Sequence, residues 1–359
     1  MDVERLPRKK PRKAEGEATA KAEVDATATA TEIDFSVLSA EFDDWRKSVA
    51  TPLTSAELRQ REKETEELLS GTWERFRDNW FYGIFPFDAV TTIPCMRFTD
   101  ADLDHPYYAH RCEPSDTLQI VSVQLRAFNA SLPSQLDVYG FIAIHDVLDR
   151  KRIMVFNRER KDCQTIDKQD SYLRLTGPTR GVLVSIDPSY IEVVLKAKGV
   201  TESEDKDLSK FARTVRVGCR YPIEYTSKLC TLEMQHYTVY SSVEATVSVK
   251  LFQGQWPLCF RGVLNASTAG QKDIQIALLH LNDDELPVDD DGFIKLSRRV
   301  VCVEHDGKLG VSLFENGAGE EGDVWFAAEK SRRTTHYMHV KKYSLWLQII
   351  IAWSVCSRK

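Results

Sequence analysis

The stretch YLRLTGPTRGVLVSIDPSYIEVVL at 172–195 sets the plan of the chain, because FIKLSRRVVCVEHDGKLGVSL at 293–313 follows the same one. Each opens with an aromatic, an apolar residue, a base and leucine: Tyr172-Leu173-Arg174-Leu175 and Phe293-Ile294-Lys295-Leu296. Each then passes an arginine (Arg180 or Arg299), enters an apolar run and turns at an aspartate. The returns alternate, through Ile191, Val193 and Leu195 or through Leu309, Val311 and Leu313. Alternation with a period of two marks a strand buried on one face. Asp306-Gly307 between two such runs is a strong hairpin signal, since a type I′ turn needs positive φ at both central residues. Asp187-Pro188-Ser189 sets its turn through proline instead. Two hairpins are expected here.

Working outward, TLQIVSVQLRAF at 117–128 is matched with TLEMQHYTVYSS at 231–242, and VYGFIAIH at 138–145 with VEATVSVK at 243–250. Phe156 and Arg158 are matched with Phe260 and Arg261. The fold read from this pattern is mainly β: two tandem antiparallel sandwich-like modules, at 113–210 and 211–359. The acidic run ESEDKD at 202–207 serves as the solvated linker between them.

The chain ahead of the modules divides into three. Residues 1–53 are poor in large apolar side chains and read as a disordered tail and connector. At 54–80 an amphipathic helix is expected. Thr54-Ser55-Ala56-Glu57 has the capping-box form, and Leu58, Leu68, Leu69, Trp73, Phe76 and Trp80 recur at helical spacing. Residues 81–112 mix aromatics and proline and are expected to be irregular, with one short strand.

With 359 residues, 42% hydrophobic and 28% charged, the chain has an ordinary globular composition and length for two cores. A net charge of −6 argues against a general nucleic-acid surface. The longest apolar run, Leu345 to Val355, falls short of the ~20 residues that span a bilayer and reads as a buried terminal strand. The eight cysteines show no C-x-x-C pair and no zinc spacing with the histidines, so no metal and no other cofactor is expected. No apolar leader precedes them, which points to reduced thiols in the nucleus or cytoplasm. Arg8, Lys9, Lys10, Arg12 and Lys13, spaced by prolines, have the form of a nuclear-import signal, with an import receptor as partner.

Three groups invite a chemical reading. Glu74 and Arg77 sit one helical turn apart beside Trp73 and Trp80. Adenine-removing ribosome-inactivating enzymes use a Glu-x-x-Arg pair of this kind, although a plain i,i+3 ion pair has the same spacing. Asp289, Asp290 and Asp291, with Asp283, Asp284 and Glu285, could supply calcium ligands from loops at one end of a C2-like sandwich. The loops at 282–292 and 315–323 share that end if 293–304 is unbroken, and do not if it breaks at Ser297. In the Gly- and Pro-fixed turn LTGPTRG, Arg180 projects as a partner or anion contact, as does Arg158; the bland alternative pairs Arg180 with a nearby carboxylate such as Asp187. No G-x-S-x-G elbow, phosphate loop or dinucleotide fingerprint occurs.

Longer motifs add a resemblance. DTLQIVSVQL at 116–125, LDVYGFIAIHDVLDR at 136–150, YLRLTGPTRG at 172–181, QWPLCFRG at 255–262 and DDGFIKLSRRVVCVE at 290–304 resemble a plant domain family, expanded in grasses and known only as a domain of unknown function. The resemblance covers about 73–355. Lys151-Arg152 and SLWLQIIIAWS depart from its pattern, the second leaving the register of the last strand open. It implies kinship without catalytic residues to carry over. The reading favoured here is a non-catalytic interaction or structural module of a plant stress or defence protein, with a protein partner. An RNA N-glycosidase-like enzyme and a calcium-dependent C2-like membrane-surface module are the alternatives.

Overall fold

The computed structural model describes residues 71–80, 86–108, 112–219, 222–258, 260–282, 286–317 and 319–357. The import block and the first part of the expected helix, 54–70, lie outside them. Among the described residues one short α-helix, α1 (Thr72–Asp78), precedes the strands, and Gly71 enters it at φ 72. The helix ends before Trp80, where the chain turns out at Asn79. Residues 86–108 are turns with one isolated bridge at Val90 in place of the expected strand. Of the described residues, 54% are strand and 6% helix, so this part of the protein is mainly β. Among the described residues, no helix is long and apolar enough to cross a membrane.

The first strands are β1 (Ser115–Arg126), β2 (Gln135–His145), β3 (Arg152–Arg158), β4 (Gln164–Asp167), β5 (Val182–Leu183), β6 (Ser189–Ala197), β7 (Lys206–Val215) and β8 (Ile223–Thr226). β9 runs unbroken from Thr231 to Gln253, 23 residues, about 75 Å at the rise of an extended strand. After it come β10 (Gly262–Thr268), β11 (Gln271–Leu281), β12 (Val300–Glu304), β13 (Lys308–Glu315), β14 (Gly319–Ala327), β15 (Ser331–Val340) and β16 (Leu345–Val355).

β9 belongs to both halves of the molecule. Its first half pairs with β1 and β8, and its second half with β12 and β16. Two outer sheets pack on this shared one. β3-β2-β6-β7, with β4 added beside β2, closes the first sandwich; β11-β10-β13-β14 closes the second. The strand orders correspond position by position. So do the registers. Thr117↔Leu183 in the first sandwich matches Ser242↔Glu304 in the second, and Gln124↔Tyr172 matches Lys250↔Phe293.

One core holds Leu118, Ile142, Phe156, Val193, Phe211 and Met234; the other holds Val247, Leu264, Leu278, Val311, Ile349 and Trp353. Alternation alone would put the two inward sets of β9 on opposite faces. Leu232 and Met234 stand at even positions, whereas Val243, Ala245, Val247 and Val249 stand at odd ones. A bulge resolves the conflict. Ser241 takes φ 45, the β1 register slips between Ser115 and Thr117, and the extra residue restores both sets to one face.

Several sequence expectations change accordingly. The runs around Asp187-Pro188 and Asp306-Gly307 are not hairpins. β5 and β12 lie in the shared sheet, while β6 and β13 lie in the outer sheets, so each turn crosses between layers. Burial gives the reason: Val300, Val301, Cys302 and Val303 are all buried in succession, unlike a strand with a wet face. The segments 117–128 and 231–242 are not counterparts but direct neighbours, with Leu118 opposite Thr238. By strand order, the counterpart of β1 is the second half of β9, and those of β2 and β3 are β10 and β11. The matches of 138–145 with 243–250, and of Phe156 with Phe260, therefore fail. Leu208, Phe211, Ile223 and Leu232 belong to the first core, so the division expected at 210/211 falls inside the first sandwich.

Because β9 serves both cores, the sandwiches should unfold together. Calorimetry should show one transition, and both Phe156→Ala in the first core and Trp353→Ala in the second should lower it, by about 3–5 kcal/mol each. Two separated transitions, each moved by one substitution only, would contradict a shared strand.

Candidate functional site: a cleft between the sandwiches

The second bulge in the shared sheet creates the site. The register of β1 on β9 slips between Ile120 and Ser122, leaving Val121 outside the ladder. Opposite it, the path from Phe293 to β12 is interrupted at Ser297–Arg299, and Arg298 donates its backbone N–H to Leu278 O across the layers. The Arg298 guanidinium enters the first sandwich at the β1 bulge. Nη1 donates to Val121 O at 3.2 Å and Nη2 donates to Ile120 O. Only 1% of the residue is exposed. Burial pushes its pKa down to about 10, which still leaves it charged at neutral pH.

Above this junction lies a cleft of ≈ 370 Å³ lined from both sandwiches. The first contributes Val121, Ser122, Asp170, Tyr172 and Arg174; the second contributes Gln275, Ala277, His280, Asn282, Ser297 and Arg298. Its size lies within the usual range of small-molecule sites. His280 stands at the rim. Its ring pKa is lowered, first by the protein packed around it and then by the Arg174 cation, although the residue itself is exposed.

The residues singled out from sequence lie elsewhere. Glu74 pairs with Lys210 Nζ of β7 at 2.5 Å, which lowers its pKa, whereas Arg77 pairs with its exposed neighbour Asp78 at 2.9 Å. The two do not join around a common cavity. Asp289 accepts the backbone N–H groups of Asp291 and Phe293 through Oδ1, closing a tight turn. Among the described residues, no three His, Cys, Asp or Glu side chains converge on a possible metal position; residues 283–285 are outside that set. Strand 293–304 does break at Ser297, yet the two acidic loops leave the same end of the outer sheet. Leu281 and Glu315 both stand opposite Gly262, and that register decides the matter.

Arg158 makes a surface pair with Asp162 at 3.2 Å. Arg180 does not project; it pairs with nearby carboxylates, though not with Asp187. It is 2% exposed and forked onto Asp146, at 2.6 and 3.0 Å, with Asp149 at 3.3 Å. Beside it, Glu244 accepts the backbone N–H groups of Gly181 and Met96, at 2.5 and 2.8 Å. Burial raises the Glu244 pKa. A side chain at position 181 has no room, since a Cβ there would collide with Cys356 Sγ. Glu244 thus ties the 93–99 segment, and Gly181 just ahead of β5, to β9.

The family model for a domain of unknown function, DUF6598, matches residues 117–348, from β1 into β16. The chain belongs to this family. No curated protein matches. Among solved structures, human GIVD cytosolic phospholipase A2 is 10% identical with a TM-score of 0.22, covering 68% of this chain and 33% of that one. The two consecutive C2 domains, A and B, of extended-synaptotagmin 2 are 6% identical with a TM-score of 0.23, covering 69% of this chain and 94% of that one. This chain thus spans about a third of the phospholipase and nearly all of the synaptotagmin fragment. At such scores neither similarity carries an argument.

Sequence reasoning also missed the charged centre that seats α1 on this DUF6598 member. Glu192 of β6 is wholly buried. It accepts from His145 Nε2 at 3.0 Å, from Arg152 Nε and Nη2 at 2.8 Å each, and from Trp73 Nε1 at 2.9 Å. Phe76, Trp80 and Phe87 pack their rings against His145. Burial works to raise the Glu192 pKa, but the hydrogen bonds from His145 and Arg152 prevail and hold it low. An alternating strand pattern gives no hint of this, because Glu192 simply interrupts the apolar run. A carboxylate with a lowered folded pKa contributes stability above its unfolded pKa and loses it as pH falls through the folded value. Glu192→Gln should therefore cost about 3–5 kcal/mol at pH 7. In denaturant titrations, the gap to the parent protein should narrow as pH falls through and below the carboxylate range; a pH-independent gap would contradict the charged arrangement.

Proposed function

We propose that this protein is a non-catalytic interaction module in which two fused sandwiches hold a ligand in the cleft between them. The observation that carries this reading is the construction of the cleft. Its walls come from both sandwiches, which β9 keeps in one register, so the two sides form a preorganised site with little ordering cost on binding. Polar side chains at the rim, among them Gln275, Asn282 and Ser122, offer hydrogen bonds for orientation, and Tyr172, 48% exposed, offers a ring face. The corresponding strand orders support descent of both sandwiches from one duplicated unit, with the junction between copies becoming the binding site.

A ligand selective for the native state raises the unfolding temperature by mass action, about 2.7 kcal/mol at a hundredfold excess over Kd. In a thermal-shift panel of nucleotides, sugars and calcium, any stabilising compound should lose its effect in Ala277→Trp, which fills the cleft from one wall. Stabilisation that survives this substitution would place the ligand elsewhere and sink the proposal.

The basic block at Arg8, Lys9, Lys10, Arg12 and Lys13 extends the proposal to a second partner, an import receptor. Residues 1–34 fused to a fluorescent reporter should concentrate it in the nucleus. Changing all five bases to alanine should abolish the accumulation, and equal distribution of both fusions would remove this part of the reading.

A further inference from the structure

We propose that the ligand of the cleft carries a compact oxyanion, of the phosphate or carboxylate type, whose charge answers Arg298. This rests on the cleft being the binding site. The arginines that reach into the fold differ in what they meet. Arg180 has Asp146 and Asp149 in direct contact, and Arg152 has Glu192. Arg298, buried as deeply as Arg180, meets two backbone carbonyl oxygens and no carboxylate among the described residues. Its Nε–H has no acceptor among the described residues.

A buried cation without a counter-ion is costly, and the cost is met when an anion comes close in a low-dielectric surrounding. The cleft is the open space beside it. Its other charges do not meet that need: Asp170 is engaged with Arg174 at 3.8 Å, an exposed pair that roughly cancels. His280 adds a further donor at the rim. The interior of the cleft is therefore net positive, although the whole chain carries −6. The electropositive floor and the amide- and hydroxyl-bearing rim together suit a small polar molecule with one anionic group. A neutral apolar ligand would leave both the buried charge and the rim groups unanswered.

Arg298→Met is a poor test by itself, because the guanidinium also supports the β1 bulge and its loss can unfold the junction. Two isosteric substitutions of exposed cleft residues avoid this. Asp170→Asn removes the opposing carboxylate, and Asn282→Asp adds one. Binding of inorganic phosphate to the full chain would be measured by calorimetry against chloride at matched ionic strength, with acetate as the carboxylate arm. Phosphate, acetate or both should bind above the chloride control. Asp170→Asn should tighten and Asn282→Asp should weaken that binding, each by roughly threefold, the effect of one unit charge across a solvated cleft.

Absence of any phosphate or acetate binding above chloride would overturn the inference. So would variants that leave the affinity unchanged or move it in the same direction. If a neutral compound binds in the cleft, as judged by its loss in Ala277→Trp, while both anions fail, only the oxyanion assignment falls. If the anions bind equally well to Ala277→Trp, the cleft itself is excluded and both readings fall.

Discussion

Everything in this fold depends on one strand having to satisfy two cores. β9 cannot twist freely at its midpoint, because its first half is fixed by β1 and β8 and its second by β12 and β16. The two inward-facing sets stand at positions of opposite parity, so the bulge at Ser241 is a requirement of side-chain alternation rather than an irregularity. Ser241 also accepts from His305 N, just where the chain leaves β12 for the outer sheet. The bulge, the layer crossing and the junction of the sandwiches are thus one local solution.

The buried charges cluster where chain segments from different layers meet. Asp146 and Arg180 join the end of β2 to the start of β5, and Leu183 N also donates to Asp146. Glu244 ties the 93–99 segment to the shared sheet. Glu192 ties α1 to the outer sheet of the first sandwich. In each case a carboxylate satisfies backbone or cationic donors that an apolar packing would leave orphaned. Such pairs fix geometry more dependably than they add net stability. Arg298 differs in having no acid bonded to it among the described residues, and it borders the cleft between the sandwiches.

The periodicity of the chain was enough to reveal strands, an approximate correspondence between two halves and the burial of Leu345–Val355. It was not enough to reveal which strands are neighbours. Asp306-Gly307 signals a tight turn correctly, yet a tight turn serves a hairpin and a layer crossing alike. Only the succession of four buried residues in β12 could have separated the two. The candidate site was less legible still. Tyr172, Arg174 and Arg298 lie inside the two stretches that define the plan, but as strand-opening or turn residues they carry no chemical signature in one dimension.

The sequence by itself determined the mainly β class, the acidic average charge, the helix at Trp73 and the family to which the chain belongs. Each of these is a sum over local preferences or a match of local motifs. The tertiary structure alone decided that the sandwiches share β9 and that Arg180 is internal. It also decided that Glu74 and Arg77 face different partners, and that Arg298, bonded to two backbone carbonyls, borders the cleft. The physical reason is that charge pairing depends on which atoms come within a few ångströms in space. Arg180 and Asp146 are 34 residues apart, and Arg298 lies 178 residues from Ile120. No local pattern encodes separations of that length; they are set when the two cores close on the same strand.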